Sequence, residues 1–262
     1  MCIRDRGALR FGGAFLVLLP VALVARQPWP RRRDWLWVVL LGGVYFCVYQ
    51  VLYNVAFVYT TAANGSMIGA TLALMTMAVA ALFGVERLSL RKSTGVLVAT
   101  GGVALALAAG LAAAPQGAWR GDLIMAAGIL AWACYNIWSR PFIARASPLT
   151  FLIAGMGVGA AGLLAIALAR GGADVIVAIG PAQWLAVGYA ALVATPIALW
   201  LWIFALNRAS PTRVASTMAM HPVSASALAS VIIGEPIGLN LAIGVVAVLA
   251  GIWIAASEPG KA

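Results

Sequence analysis

Long apolar runs separated by short polar segments dominate the hydropathy pattern of this chain. An apolar helix of about 20 residues is long enough to cross the hydrocarbon core of a bilayer. The pattern predicts nine such helices, at 8–25, 35–56, 66–85, 93–113, 122–139, 148–169, 182–206, 213–233 and 237–256. Ser147-Pro148 and Ser210-Pro211 are typical helix starts, with Ser at the N-cap and Pro in the first turn. The connecting segments are too short for a soluble domain, so we expect an all-α membrane protein.

The pattern occurs twice along the chain. Glu86 and Glu235 lie 149 positions apart, and each follows one apolar run and precedes another. The same offset relates further matched pairs: Gly95 and Gly244, Gly102 and Gly251, and Trp35 and Trp184. A single offset without gaps indicates an internal duplication. We place the first copy at 1–113 and the second at 121–256.

The duplication also predicts the topology. The helix at 122–139 has no counterpart, because its twin would precede residue 1. We therefore expect a fragment of a ten-helix protein built from two sets of five, whose first copy lacks its first helix. Because five is odd, the second set enters the membrane in the opposite sense, which makes an inverted (5+5) repeat.

Composition supports the membrane assignment, and charge adds the orientation. Hydrophobic residues make up 64% of the chain and charged residues 9%, which excludes an ordinary soluble domain. The net charge of +10 comes from basic residues at helix ends, and most of them lie on alternate loops. These are Arg26, Arg31, Arg32, Arg33, Arg87, Arg91, Lys92, Arg140, Arg145, Arg208, Arg213 and Lys261. Basic loops stay cytoplasmic, so we expect a cytoplasmic C-terminus in a plasma (bacterial inner) membrane. The charge indicates contact with the lipid bilayer and no nucleic-acid partner.

Polar and aromatic side chains share faces of several predicted helices. The candidate solute-binding residues are Tyr49, Tyr53, Asn54, Thr71, Met75, Trp132, Tyr135, Asn136, Trp200, Thr217, His221 and Ser224. Polar groups at bilayer depth usually face a bundle interior or a cavity. Hydrogen bonding between helices explains the same pattern, so packing remains the alternative for each residue.

His221 lies near the middle of the eighth predicted helix, next to Pro222. Proline removes one backbone hydrogen bond, and such breaks are tolerated at membrane depth where they line a cavity. The positions equivalent to His221 and Pro222 in the first copy are Leu72 and Ala73, so the two copies differ here. An intramembrane ionisable group is a functional candidate by default, which makes His221 a candidate for solute binding and proton coupling.

Chemistry on the solute is not expected. An intramembrane enzyme needs a nucleophile with a base, or two acids, at bilayer depth. Glu86 and Glu235 lie at helix ends, where a structural role is favoured. The three cysteines have no paired spacing, so the sequence predicts no catalytic residue, no metal site and no cofactor. It indicates no particular oligomeric state. A non-transporting membrane scaffold remains a second alternative.

Two motifs carry a family resemblance. AALFGVERLSL at 80–90 is followed by Gly95 and Gly102, and HPVSASALASVIIGEPIGL at 221–239 is followed by Gly244 and Gly251. These stretches, with Arg10-Phe11 and Gly121-Asp122, resemble the EamA-type domain of the drug/metabolite transporter superfamily. The resemblance implies ten helices in two inverted halves that move small metabolites by alternating access. We expect a transporter, and specifically an exporter, of amino-acid-like or drug-like solutes.

Overall fold

A computed structural model describes residues 3–86, 89–106, 117–169, 180–221, 223–224 and 239–256. Every regular element in these ranges is helical. The α-helices are α1 (Ile3–Val24), α2 (Trp35–Gly42), α3 (Gln50–Ala56), α4 (Ala62–Ala70), α5 (Leu72–Leu82), α6 (Leu90–Ala106), α7 (Trp119–Trp138), α8 (Arg140–Arg145), α9 (Pro148–Ala169), α10 (Pro181–Tyr189), α11 (Thr195–Arg208), α12 (Pro211–Ser216) and α13 (Leu239–Ala256). Single 3₁₀ turns occupy Arg32–Asp34 and Thr217–Ala219, and π-helical segments occupy Gly43–Tyr49 and Ala190–Ala194.

Six stretches in the described part of the chain are long and apolar enough to cross a membrane. They are Gly7–Val24, Arg32–Ala56, Asn64–Leu82, Trp119–Arg145, Pro148–Ala169 and Gln183–Arg208. They match six of the nine predicted helices. The helices predicted at 93–113, 213–233 and 237–256 include residues outside the described ranges, and α13 contributes a shorter apolar helix, Ala242–Ala255. Nine helices and the 5+5 repeat therefore stay predictions.

The chain divides into two compact units. Unit 1 comprises Met1–Asn54 and Trp138–Arg208, and unit 2 comprises Val55–Ile137 and Ala209–Ala262. Each unit therefore contains segments from both sequence copies.

Small residues bring the helices of unit 1 close together. Gly7 of α1 faces Leu163 of α9, and Gly157 of α9 faces Phe15 of α1. This order makes α1 and α9 antiparallel. Close approach at glycine is the usual way in which membrane helices pack, because lipid supplies no hydrophobic drive between them.

The basic loops predicted to share one side of the membrane meet at one end of unit 1. The carbonyl of Pro28 accepts hydrogen bonds from the Ser147 N–H at 3.3 Å and the Thr150 hydroxyl at 2.7 Å. Arg145 also forms an ion pair with Asp34 at 3.3 Å. The segment before α2 and the segment before α9 therefore lie together.

Unit 2 is built around the contact of α6 with α13. Gly95 packs against Gly251, and Gly102 packs against Gly244, so these helices are antiparallel. Residues from the neighbouring helices complete an apolar cluster of Ala70, Ala99, Val103, Ala219, Val223 and Val248. Both α1 with α9 and α6 with α13 relate equivalent positions of the two sequence copies, and an inverted repeat predicts antiparallel directions for them.

Glu86 joins the end of the third span to the start of α12. Its carboxylate accepts hydrogen bonds from the Lys92 ammonium and, at 3.2 Å, from the backbone N–H of Thr212. The side chains of Glu86 and Lys92 are each 8% exposed. Thr212 lies in the first turn of α12, where backbone N–H groups lack partners within the helix. A carboxylate there also interacts favourably with the helix dipole. Glu235, the repeat partner of Glu86, lies outside the described residues.

Candidate solute-binding site

The residues that the sequence singles out fall into both units. Four lie in unit 1: Tyr49, Tyr53, Asn54 and Trp200. Eight lie in unit 2: Thr71, Met75, Trp132, Tyr135, Asn136, Thr217, His221 and Ser224.

Three tyrosines form a row along the second span. The rings of Tyr45 and Tyr49 stack with centroids 5.5 Å apart, and those of Tyr49 and Tyr53 lie 5.7 Å apart. Tyr45 and Tyr49 belong to the π-helical segment Gly43–Tyr49. Segments of this kind are rare and frequently occur at functional sites. The row ends at Tyr53, which lines a cavity.

A cavity of about 330 Å³ lies between α1, α3 and α10, and we call it the Arg10 cavity. This volume falls within the range of about 300–1,000 Å³ that small-molecule pockets occupy. Its polar lining comprises Arg10, Gln50, Tyr53, Asn54 and Gln183. Two of these, Tyr53 and Asn54, are among the predicted residues, and the structure brings them together.

Arg10 supplies the positive charge of this cavity. Its Nη2 donates a hydrogen bond to Oε1 of Gln50 at 3.0 Å. The buried Nε of Arg10 and the buried Nδ2 of Asn54 have no hydrogen-bond partner among the described residues. The cavity therefore presents a cation and several donors.

Trp200 lines a second and larger cavity of about 760 Å³ in unit 1, which we call the Trp200 cavity. The Trp200 ring stacks on Phe204 with centroids 5.2 Å apart, and the Arg208 guanidinium lies 3.9 Å from the Phe204 ring centroid. Most other lining residues are apolar. On α1 this cavity begins at Val17, seven residues beyond Arg10, which is about 10 Å along the helix axis. The two cavities therefore lie at different depths.

In unit 2 the third span is interrupted at Thr71, between α4 and α5. The Thr71 hydroxyl donates to the carbonyl of Ile68 at 2.6 Å, and the Thr71 carbonyl accepts from the Met75 N–H at 2.9 Å. Thr71 is equivalent to Met220 in the second copy, and the 3₁₀ turn Thr217–Ala219 that interrupts the helix there lies immediately before Met220. Interrupted helices at corresponding positions of two copies are a pointer to binding sites in transporters.

Thr217, His221 and Ser224 lie on one exposed face of this segment. The opposite face carries Ala219 and Val223, which belong to the apolar cluster. Pro222, on which the predicted helix break depends, lies outside the described residues. The shared face of the three polar residues is thus observed, and their contact with a solute stays a prediction.

Trp132, Tyr135 and Asn136 are buried on α7. Their exposed fractions are 7%, 1% and 0%. Neither of the two cavities of unit 1 is lined by these residues or by the other five candidates in unit 2.

The family model of the EamA-like transporter family matches residues 6–108 and 119–257, which is nearly the whole chain. This chain belongs to the EamA-like transporter family.

Several proteins resemble this EamA-like protein over most of its length. An uncharacterized transporter, YyaM, of Bacillus subtilis is 24% identical over 95% of this chain and 82% of its own. A probable terminal-alkyne amino-acid exporter of Streptantibioticus cattleyicolor is 29% identical over 79% of this chain and 68% of its own. A crystal structure of another protein matches the fold with a TM-score of 0.78 and 23% sequence identity. The match covers all of this chain and 90% of the chain in that crystal structure.

Three of the five polar residues that line the Arg10 cavity of this EamA-like protein are absent from the predicted candidates: Arg10, Gln50 and Gln183. The charge pattern treats Arg10 as one of the basic residues at helix ends, but Arg10 lies inside the apolar stretch Gly7–Val24. Gln50 lies four residues before Asn54, so the helical period places both on one face. An arginine within an apolar run was the available signal, because such residues usually face a cavity or a partner.

Proposed function

We propose that this protein exports small organic solutes of amino-acid-like or drug-like chemistry across the plasma membrane by alternating access. The observation that carries the proposal is a cavity with a cationic and polar lining, bordered by apolar spans, in a chain of a transporter family. Its similarity to a probable amino-acid exporter supports both the solute class and the direction.

The proposal assigns candidate solute contacts within each unit separately. In unit 1, Tyr49, Tyr53 and Asn54 with Arg10 would hold the polar part of the solute, and Trp200 would hold an apolar or cationic part. In unit 2, the interrupted helices at Thr71 and Thr217–Ala219, with Met75, His221 and Ser224, would change conformation or contact the solute. The buried residues Trp132, Tyr135 and Asn136 would support this region.

The orientation belongs to the same proposal. The loops with Arg31–Arg33, Arg140 and Arg145 would be cytoplasmic, together with the C-terminus, because basic loops are retained inside. The hydrogen bonds to the Pro28 carbonyl hold these loops together at one end of unit 1, which supports placing them on the same side of the membrane. The segment that begins α7 at Trp119 would face outward.

A bacterial strain sensitive to toxic amino-acid analogues provides the test. Cells that express the full chain should resist at least one analogue and should retain less of it when it is radiolabelled. Cells with the empty vector, and cells with an equally expressed Trp200→Ala, Asn54→Leu double variant, should remain sensitive. If expression changes neither resistance nor retention for a panel of amino acids, their analogues and cationic drugs, export is contradicted and the scaffold alternative gains support.

A further inference from the structure

Arg10 lies in an apolar membrane span without an anionic partner among the lining residues of its cavity. It belongs to the stretch Gly7–Val24, and its observed polar contact is with the neutral amide of Gln50. A buried charge is costly unless it is paired and hydrogen-bonded. The lining that the described residues give to the Arg10 cavity includes no Asp or Glu side chain. Within this part of the chain, the cavity therefore has one positive charge without a carboxylate partner.

The cavity also has donors in excess of acceptors. Asn54 is 4% exposed, and its buried Nδ2 has no hydrogen-bond partner in the described part of the chain. The buried Nε of Arg10 also has no hydrogen-bond partner among the described residues. Unsatisfied buried donors cost free energy, so a ligand group that only accepts hydrogen bonds and carries negative charge would satisfy both. A carboxylate has two oxygens and about four acceptor sites, and it matches the planar fork of a guanidinium.

The internal repeat shows that the fold itself does not require these polar groups. The positions equivalent to Arg10, Gln50 and Asn54 in the second copy are Gly159, Leu199 and Ile203. Leu199 and Ile203 are buried, with exposed fractions of 9% and 1%. The second copy thus builds the corresponding helices with apolar side chains, so a role specific to this one cavity explains Arg10 better than a role in the fold.

The remaining lining sets the size and character of the ligand. Gly7, Ala186, Val187 and Ala190 form small apolar walls beside the polar groups. Such walls would contact an aliphatic side chain attached to the carboxylate, whereas a bare inorganic anion would gain little binding free energy from them.

We propose that the Arg10 cavity binds the carboxylate of an organic solute, with Arg10 as the charged anchor and Asn54 as a second donor. This inference rests on the proposed export function and specifies its solute class. Amino-acid-like solutes would be recognised through the carboxylate, and their amides and decarboxylated amines would be rejected there.

The test compares binding of L-leucine, leucinamide and isoamylamine to the purified full chain in detergent, by calorimetry and by thermal shift. L-leucine should bind at least ten times more tightly than the two compounds that lack a carboxylate. Arg10→Gln should weaken L-leucine binding at least tenfold, and Arg10→Lys should weaken it less. Arg120→Gln is the matched control, because Arg120 is exposed and lies outside this cavity. It should bind like the parent.

Gln50→Glu separates a binding role from a structural one. The substituted carboxylate would lie at hydrogen-bonding distance from Arg10 and would occupy the place of the ligand's charge. We expect L-leucine binding to fall at least tenfold while the unfolding temperature is kept or raised. If Gln50→Glu or a folded Arg10→Gln binds L-leucine like the parent, Arg10 is structural and the proposal is wrong.

Three further outcomes would also overturn the inference. The first is equal binding of L-leucine and leucinamide by the parent, and the second is no binding of either. The third is displacement of L-leucine by sodium chloride as efficient as displacement by sodium propionate, which would indicate an inorganic-anion site. Export of the amide or of isoamylamine in those cases would leave the proposed transport function standing.

Discussion

Gly95 of α6 packs directly on Gly251 of α13. A Cβ atom on Gly95 would lie 2.7 Å from the Gly251 carbonyl oxygen, and 2.5 Å from the backbone nitrogen of Ala255. Neither distance accommodates a carbon atom, so the two backbones are in contact. Gly102 and Gly244 repeat the arrangement seven residues along α6, at 2.8 Å from a Gly102 Cβ to the Gly244 oxygen. The repeated glycines of the sequence thus meet each other across one helix pair.

Substitution of Gly95 or Gly251 should therefore destabilise unit 2. Gly95→Ala and Gly251→Ala force the helices apart, and overpacking of this kind costs about 1–3 kcal/mol. Unfolding of the purified protein in mixed micelles should show the loss. Gly101→Ala is the matched control on the same helix, since a Cβ at Gly101 meets nothing within 4 Å. A Gly95→Ala variant as stable as Gly101→Ala would contradict the close contact.

The ion pair of Glu86 with Lys92 provides a second stability prediction. Glu86→Gln leaves the nearly buried Lys92 ammonium without its counter-charge, which costs about 3 kcal/mol. The double variant Glu86→Gln, Lys92→Met removes both charges and should recover most of the lost stability. The same unfolding assay measures both. Equal destabilisation by the single and double variants would contradict an unpaired Lys92 charge as the cause of the loss.

The sequence predicts much of this fold because its apolar runs and helix starts are local signals. Pro148 begins α9 as predicted, and the Ser147 hydroxyl accepts a hydrogen bond from the Leu149 N–H at 3.2 Å. Pro211 also begins α12 as predicted, but Ser210 makes no side-chain cap there. Glu86 supplies an acceptor from 126 positions away. Distant contacts of this kind cannot be read from one local stretch.

The candidate site is harder to predict from the sequence, because its residues also come together through distant contacts. Tyr53 and Asn54 were identified because both are polar residues within an apolar run. Arg10 carries the signal of an arginine within an apolar run, but its place beside Tyr53 and Asn54 depends on the packing of α1 against α3. The π-helical segment Gly43–Tyr49 and the interruption at Thr71 also lack a local proline that would mark them. The helix geometry at these places depends on tertiary packing.

Single-cysteine labelling tests the proposed orientation. In a chain without Cys2, Cys47 and Cys134, a membrane-impermeant maleimide should label Trp119→Cys in intact bacteria. Gln27→Cys should react only after the membrane is permeabilised, because its loop carries the basic residues. Both positions are exposed, so accessibility in the fold does not distinguish them. Labelling with the opposite preference would reverse the orientation.

His221 provides a transport prediction in unit 2. His221→Ala should lower transport of an identified solute about tenfold, the value of one good hydrogen bond of about 1.4 kcal/mol. The side chain is exposed, so expression and unfolding temperature should not change. His221→Gln should keep transport and lose any pH dependence between about 5 and 8. The assay is uptake into inverted vesicles at several pH values. Parent-like transport by His221→Ala at every pH would show that His221 has no role in transport.

Counterflow in proteoliposomes tests the central claim, solute transport, most directly. Liposomes that contain the purified full chain are loaded with unlabelled L-leucine, diluted into a trace of labelled L-leucine, and followed for transient accumulation inside. The account predicts accumulation above that of protein-free liposomes, and its loss in Arg10→Gln. A panel of other amino acids and cationic drugs, each tested with its own labelled form, extends the measurement to the whole proposed solute class. Absence of counterflow for every solute in protein that remains folded would contradict a transporter.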